Sequence, residues 1–175
     1  MLDAASELEN IQKKYDIVFS NACIQWIPDH DILLKNMMDM LNDGGTLAVQ
    51  VPMNFEQPIH KIIRHTAESE KWSSKIMHMR VFHTLDVSGY HRILSQISSD
   101  FTIWETIYMH RMESHQKIIE WYRGTGMRPY LSQLSDDDKA EFEYDILSEI
   151  KKQYIPEENG EIIFKFPRLF FVARK

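Results

Sequence analysis

The chain has little that could tie it together covalently or fix it to a surface. A single cysteine, Cys23, stands in 175 residues. That excludes an intrachain disulfide and suits a reducing compartment. No apolar run approaches the ~20 residues that cross a bilayer. The opening stretch MLDAASELENIQKKYD carries acids early and no apolar core of signal-peptide length. The expectation is a cytoplasmic protein with no membrane partner. Positive charge is also short, with 20 Lys+Arg against 26 Asp+Glu and a net charge of -6. A sequence-independent grip on nucleic acid needs a basic surface, so no nucleic-acid partner is expected. A small anionic ligand stays open, because it feels local Arg and His rather than the total.

Metal chemistry finds little support. Among the eight histidines, His60/His65, His78/His83 and His110/His115 are each five apart. On a helix that spacing turns the second ring about 140° from the first, unlike an i,i+4 zinc pair. With no cysteine pair either, no metal ligand is assigned. There is no internal repeat, no low-complexity tract, and no Ser-His-Asp or paired-carboxylate signature. The Met37, Met38, Met40 cluster reads as core filler. Asp136-Asp137-Asp138 reads as a helix N-terminus.

What the chain does have is a globular composition, 43% hydrophobic and 26% charged. Tyr15 to Ser20 (YDIVFS) predicts a buried strand. Asp29 is a candidate N-cap, and Ile32, Leu33, Met37, Met40 and Leu41 recur at helical spacing. Asn42-Asp43-Gly44-Gly45 predicts the end of that helix, and Thr46 to Val51 (TLAVQV) a second buried strand closed by Pro52. Strand, helix, strand makes a βαβ unit whose strands run parallel. Further helices are predicted over 58–72, 86–97, 114–123 and from Ser135 to near Tyr154. A strand is predicted over 101–110, and a final strand or strand pair over 162–172 with Pro167 as a bulge or break. The stretch Lys71 to Thr84 has no period and reads as a loop or lid. About four strands interleave with helices, so the fold class is α/β.

Four phrases resemble consecutive landmarks of one family: YDIVFSNACIQWIPDH, LNDGGTLAVQVP, SHQKIIEWYRGTGMRP and FPRLFFVARK. In order and spacing they are similar to the trans-aconitate 2-methyltransferase family, within the class I S-adenosylmethionine-dependent methyltransferases. The first two phrases are shared by many small-molecule methyltransferases, and the last two are narrower. The resemblance implies a partial Rossmann-like class I methyltransferase sheet, its fourth to seventh strands, with inserted helices. It implies a single domain over 1–175. The added helices over 111–160 either contribute to the substrate pocket, as insertions in α/β enzymes often do, or simply cover the sheet. No G-x-G-x-x-G or G-x-G-x-G occurs, although the family's first strand is followed by such a turn. The chain is therefore expected to be either a catalytically inactive fragment or a protein that has lost strong cofactor binding. Without that first strand, Tyr15–Ser20 would expose an edge on which a second copy could pair into a homodimer.

The resemblance also assigns roles. The implied cofactor is S-adenosyl-L-methionine and the implied partner a small-molecule carboxylate, trans-aconitate first, with another small or carrier-bound carboxyl acceptor as the alternative. Asp3 and Ala4 would contact adenine. Asn21 and Ala22 would line the methionine end of the cofactor, and Gln25 and Trp26 would wall the methyl-transfer region. These last residues follow the carboxyl end of a predicted parallel strand, where open α/β sheets bind ligands. Trp26 could equally be a packing aromatic. Arg128, between a Gly-Thr-Gly break and Pro129, is either a carboxylate clamp or a solvated surface residue. Arg168 in an apolar strand faces a pocket or marks a strand end. Tyr108 and His110 share one strand face and could donate to substrate or simply pack. His83 closes the irregular loop and is the weakest substrate candidate.

Overall fold

The structure, a computed structural model, describes Leu8 and residues 11–175. Strands and helices interleave as β1 (Tyr15–Asn21), α1 (His30–Asp39), β2 (Leu41–Pro52), α2 (Pro58–Glu68), α3 (Val87–Ile97), β3 (Asp100–Met112), α4 (His115–Arg123), α5 (Arg128–Leu131), α6 (Asp136–Gln153) and β4 (Ile162–Arg174). A single 3-10 turn, Ile24–Trp26, follows β1. The sheet has four strands in the order β1-β2-β4-β3. By compactness the chain divides into two units. Unit one holds Met1–Met53, Phe82–Ile107 and Pro167–Lys175; unit two holds Asn54–Val81 and Tyr108–Phe166.

In unit one, β1 pairs parallel to β2 from Ile17↔Thr46 to Asn21↔Gln50, the βαβ arrangement expected from the sequence. The strand was expected to be buried, but Ile17 and Phe19 are 66% and 69% exposed. β1 is the outermost strand of the sheet among the described residues, and the face that carries Ile17 and Phe19 is open to solvent there.

The helix between the strands ends earlier than expected, at Asp39, and Leu41 already belongs to β2. Gly44 and Gly45 therefore do not cap the helix; they carry the strand past its neighbours. Gly44 adopts φ 77, and a β-carbon on Gly45 would sit 2.9 Å from the Asn42 carbonyl and 3.2 Å from that of Asp16. The same two residues exchange backbone bonds with Lys175 at the end of β4.

The buried stripe of α1 is His30, Leu33, Leu34, Met37 and Met38, a helical face by spacing. Ile32, expected on that face, is exposed. Asp29 sits at the N-cap at φ 54 and its side chain makes no cap bond, because the left-handed backbone turns it away from the first turn. His30 ties α1 to its surroundings. The Ile24 carbonyl, 2.8 Å from Nε2, can only accept, so the ring proton is on Nε2. Nδ1 then accepts from the Tyr90 hydroxyl of α3 at 2.9 Å. Burial lowers the His30 pKa, which suits this neutral ring.

Of the two forms expected, one last strand or a strand pair with Pro167 as a bulge or break, the structure has the single strand: β4 runs unbroken from Ile162 to Arg174 and pairs antiparallel with β2 from Pro52↔Arg168 to Thr46↔Arg174. Proline withholds only its own N–H; its carbonyl still accepts from Met53 at 2.9 Å.

Unit two has its own core. Ile59 and Ile63 of α2 are buried with Phe142, Ile146 and Ile150 of α6 and Phe164. Trp72 sits fully buried against Phe142, ring centroids 5.2 Å apart. Its indole N–H donates to Asp145 at 2.8 Å. The irregular stretch after Trp72 is tied down by Gln133, whose carboxamide accepts from the backbone of Met77 and His78 and donates to the carbonyl of His78. Ser114 and Ser135 cap α4 and α6 as expected, accepting from Lys117 and Asp138.

The buried His60 of this core sets a pH dependence. Its ring lies edge-on to Tyr122. Burial first, then the charges of Arg80 and Arg64, lowers its pKa from 6.5 to about 4. The unfolded chain therefore binds more protons than the folded one between those values, and stability falls as pH drops through that window. The loss from this residue is roughly 3 kcal/mol at most. Urea unfolding midpoints near neutral pH and near the lower limit should show a steeper acid decline in the parent than in His60→Gln; parallel declines would contradict this.

Candidate functional site

The parallel pairing brings the carboxyl ends of β1 and β2 side by side, with Asn21 opposite Gln50. This is the edge at which open α/β sheets take ligands. Immediately beyond β1, Ala22 adopts φ 49, a left-handed conformation that residues with a β-carbon rarely hold without support. Two bonds supply the support. The Ala22 N–H donates to the Gln50 carbonyl at 3.0 Å. Its own carbonyl accepts from the Gln25 side-chain amide at 2.8 Å.

Gln25 is only 3% exposed. Its NH2 is spent on Ala22, and its Oε1 meets no donor among the described residues. Its backbone carbonyl accepts from the His83 N–H at 3.0 Å, which brings the end of the irregular stretch to the 3-10 turn. Trp26, 47% exposed, packs on Phe82 with ring centroids 5.2 Å apart. It is therefore half a packing aromatic and half a solvent-facing wall. Asn21 and Ala22 are exposed.

Across the strand ends, Arg168 of β4 donates from Nη1 to the Gln50 Oε1 at 3.1 Å. Arg168 is partly buried and Gln50 is 4% exposed. The expected cofactor and methyl-transfer residues Asn21, Ala22, Gln25 and Trp26 thus gather within unit one, with His83 and Arg168 in the same unit. Asp3 and Ala4, expected at adenine, lie outside the described residues.

The remaining substrate candidates belong to unit two. Tyr108 and His110 do share a face of β3, with rings stacked at 6.3 Å. His110 also lies edge-on to Trp121 at 4.9 Å, so packing accounts for much of its surface. Arg128 is exposed at the start of α5. The Gly-Thr-Gly stretch before it is held by Arg80, which donates to the Thr125 carbonyl at 2.7 Å. A β-carbon on Gly126 would overlap the Tyr122 ring, so glycine there serves close packing. No cluster of three or more His, Cys, Asp or Glu among the described residues could hold a metal ion. No helix among them is long and apolar enough to cross a membrane.

Two residues escaped the reading of the sequence. Gln50 had a signal: it is the polar residue inside the apolar run TLAVQV. Arg80 had none, since it lies in a stretch without period.

The similarities to known proteins agree with this geometry. A family model described as a methyltransferase domain matches residues 2–49. A trans-aconitate 2-methyltransferase of Enterobacter sp. (strain 638) is 38% identical over 91% of this chain and 62% of its own length. One from Escherichia fergusonii is 37% identical over 97% of this chain and 67% of its own length. The chain thus spans roughly two thirds of the length of such relatives. Among solved structures, a loganic acid methyltransferase with SAH gives a TM-score of 0.56 at 10% identity, covering 93% of this chain and 62% of that one. That last likeness concerns the fold alone.

The left-handed residue offers a direct check on this edge. Ala22→Gly should leave stability unchanged or raise it slightly. Ala22→Val, which puts a β-branched side chain at the same φ, should lower it by about 1–2 kcal/mol or more in denaturant titrations. Equal midpoints for the two variants would mean the backbone at Ala22 is not constrained as described.

Proposed function

Since the chain belongs to the trans-aconitate 2-methyltransferase family, we propose that it forms part of an S-adenosyl-L-methionine-dependent O-methyltransferase whose acceptor is a small carboxylate, trans-aconitate first. The observation that carries this is the Gln25–Ala22–Gln50 arrangement at the joined carboxyl ends of β1 and β2. The residues suit the implied cofactor. Gln25 Oε1 is a buried acceptor without a donor among the described residues, and the methionine end of the cofactor offers an ammonium donor. Asn21 and Ala22 are exposed on the adjoining turn beside it. When bound, the cofactor supplies an electrophilic methyl group on a sulfonium.

The chain's own work is mainly alignment. A carboxylate acceptor is already ionised at neutral pH, since carboxyl pKa values lie near ~4, so no strong general base is required. Holding acceptor and donor in line can lower the barrier by roughly 7–11 kcal/mol. Trp26, backed by Phe82, would wall the reacting region and exclude water. Arg168 and His83 are proposed to hold the acceptor's charge, the guanidinium being suited to carboxylates. Clamp and donor roles are proposed separately for Arg128 and for Tyr108 and His110.

The second reading is that these residues by themselves transfer nothing, because they contain no glycine-rich turn of the kind that packs against the cofactor. The exposed Ile17 and Phe19 on the outermost strand favour self-pairing in that case, and a homodimer through β1 is proposed for the chain alone.

Methyl transfer from labelled cofactor to trans-aconitate should yield the monoester, and Arg128→Ala should raise the KM for the acceptor by about tenfold, as loss of one charged hydrogen bond does. An unchanged KM removes Arg128 from the site, and no ester from any polycarboxylate removes the acceptor assignment. Ester formed by the 175-residue chain on its own removes the second reading. In light scattering, the chain alone should run as a dimer and Phe19→Lys as a monomer; a monomeric parent excludes pairing through β1.

A further inference from the structure

Gln50 sits in a predicament that its neighbours do not resolve. It lies near the end of β2, opposite Phe170 of β4, while Arg168 lies opposite Pro52. Gln50 and Arg168 are thus diagonal neighbours on one face of the antiparallel pair, within reach of each other's long side chains. A guanidinium can only donate, so the side-chain oxygen of Gln50 must be the atom facing Arg168, as the 3.1 Å bond has it. That settles which end of the amide is which. The NH2 end then points elsewhere, and it finds no acceptor among the described residues although Gln50 is only 4% exposed. Buried amide donors are rarely left unmet, and one at a ligand-binding edge calls for an acceptor from the ligand.

The chemistry of that acceptor follows from the donors around it. Beyond the bond they share, the carboxamide NH2 and the guanidinium can offer only N–H groups. A carboxylate, with two oxygens and no proton, meets both; an ammonium, which can only donate, meets neither. The backbone carbonyl of Gln50 is meanwhile engaged by Ala22, so the residue joins this corner to the turn assigned to the cofactor. We propose that Gln50 is a substrate-binding residue whose side-chain NH2, together with the Arg168 guanidinium, receives one carboxylate of the acceptor. This rests on the proposed carboxylate methyl transfer and adds to it the pair that reads the substrate's charge.

Two substitutions separate recognition from scaffolding. Gln50→Glu keeps an oxygen for Arg168 but loses the donor and places a negative charge against the incoming carboxylate. Gln50→Met keeps the length and loses both polar atoms. If Gln50 only props Arg168 in place, Gln50→Glu should behave as the parent does. As a substrate donor it should raise the KM for trans-aconitate by about 10- to 100-fold, in the range given by one lost hydrogen bond to a charged group. The KM for S-adenosyl-L-methionine should move by less than about twofold in both variants, which also shows that they fold.

An unchanged acceptor KM in Gln50→Glu, or a loss shared equally between acceptor and cofactor, overturns the assignment while leaving the proposed activity standing. Turnover of a different carboxylate, with the same selective loss in Gln50→Glu, upholds Gln50 and discards trans-aconitate. If the parent turns nothing over, calorimetry with tricarballylate as probe decides: binding that Gln50→Glu abolishes supports the carboxylate site, and no binding to the parent overturns it.

Discussion

Everything at the candidate site depends on the parallel pairing of β1 with β2. It is this pairing that sets Asn21 opposite Gln50 and lets the Ala22 N–H reach the Gln50 carbonyl. A one-residue slip would exchange the faces of the whole strand. It would carry Ile17 and Phe19 to the opposite side and remove the acceptor that holds Ala22 at φ 49. Gly44 and Gly45 protect the register where β2 begins. They absorb the irregularity between Tyr15 and Ile17, and Gly45 passes close to the Asp16 carbonyl, where a side chain would not fit.

Around that pairing the polar groups of unit one fall into two classes. Most are satisfied inside the fold and make it rigid. The neutral His30 bridges the 3-10 turn and α3 through Ile24 and Tyr90, and Asp86 caps α3 by accepting from Gly89. Others meet no partner among the described residues, and two of these, Gln25 Oε1 and Gln50 Nε2, belong to residues bonded to Ala22. One is an acceptor and the other a donor. Neither atom adds a hydrogen bond to the fold itself, and burying an unmet polar atom costs stability. In unit two, polar side chains also secure irregular backbone, with Gln133 fastening residues 77–78 and Arg80 fastening Thr125.

Much of the secondary structure was legible because local signals agreed. The β-branched runs marked β1 and β2, and the serine caps marked α4 and α6. The misses have local causes too. Asn42-Asp43-Gly44-Gly45 has the composition of a helix stop, yet the pairing partner of β2 extends the strand through it. Pro167 left one strand or a pair open, and the strand continues because in an antiparallel strand its carbonyl can still be used. Leu33 and Met37 lie on the buried face as expected, whereas Ile32, beside them in the chain, falls on the exposed flank of α1. Of the site, the turn SNACIQW was visible as residues following a strand. Gln50 was visible only as an oddity, since nothing local says which atom of an amide will lack a partner.

Composition, periodicity and capping chemistry alone determined the α/β class, the βαβ unit and the expectation of parallel strands, because these depend on neighbours in the chain. The resemblance of four phrases to one methyltransferase family was likewise in the sequence. Only the tertiary structure decided that β4 enters beside β2 in the opposite direction, and so that Arg168 stands next to Gln50. It alone decided that Ala22 is left-handed and braced from both sides. Such facts arise from groups more than a hundred positions apart (Gln50 and Arg168 are separated by 118). No local preference encodes a hydrogen bond whose partners meet only when the sheet has closed.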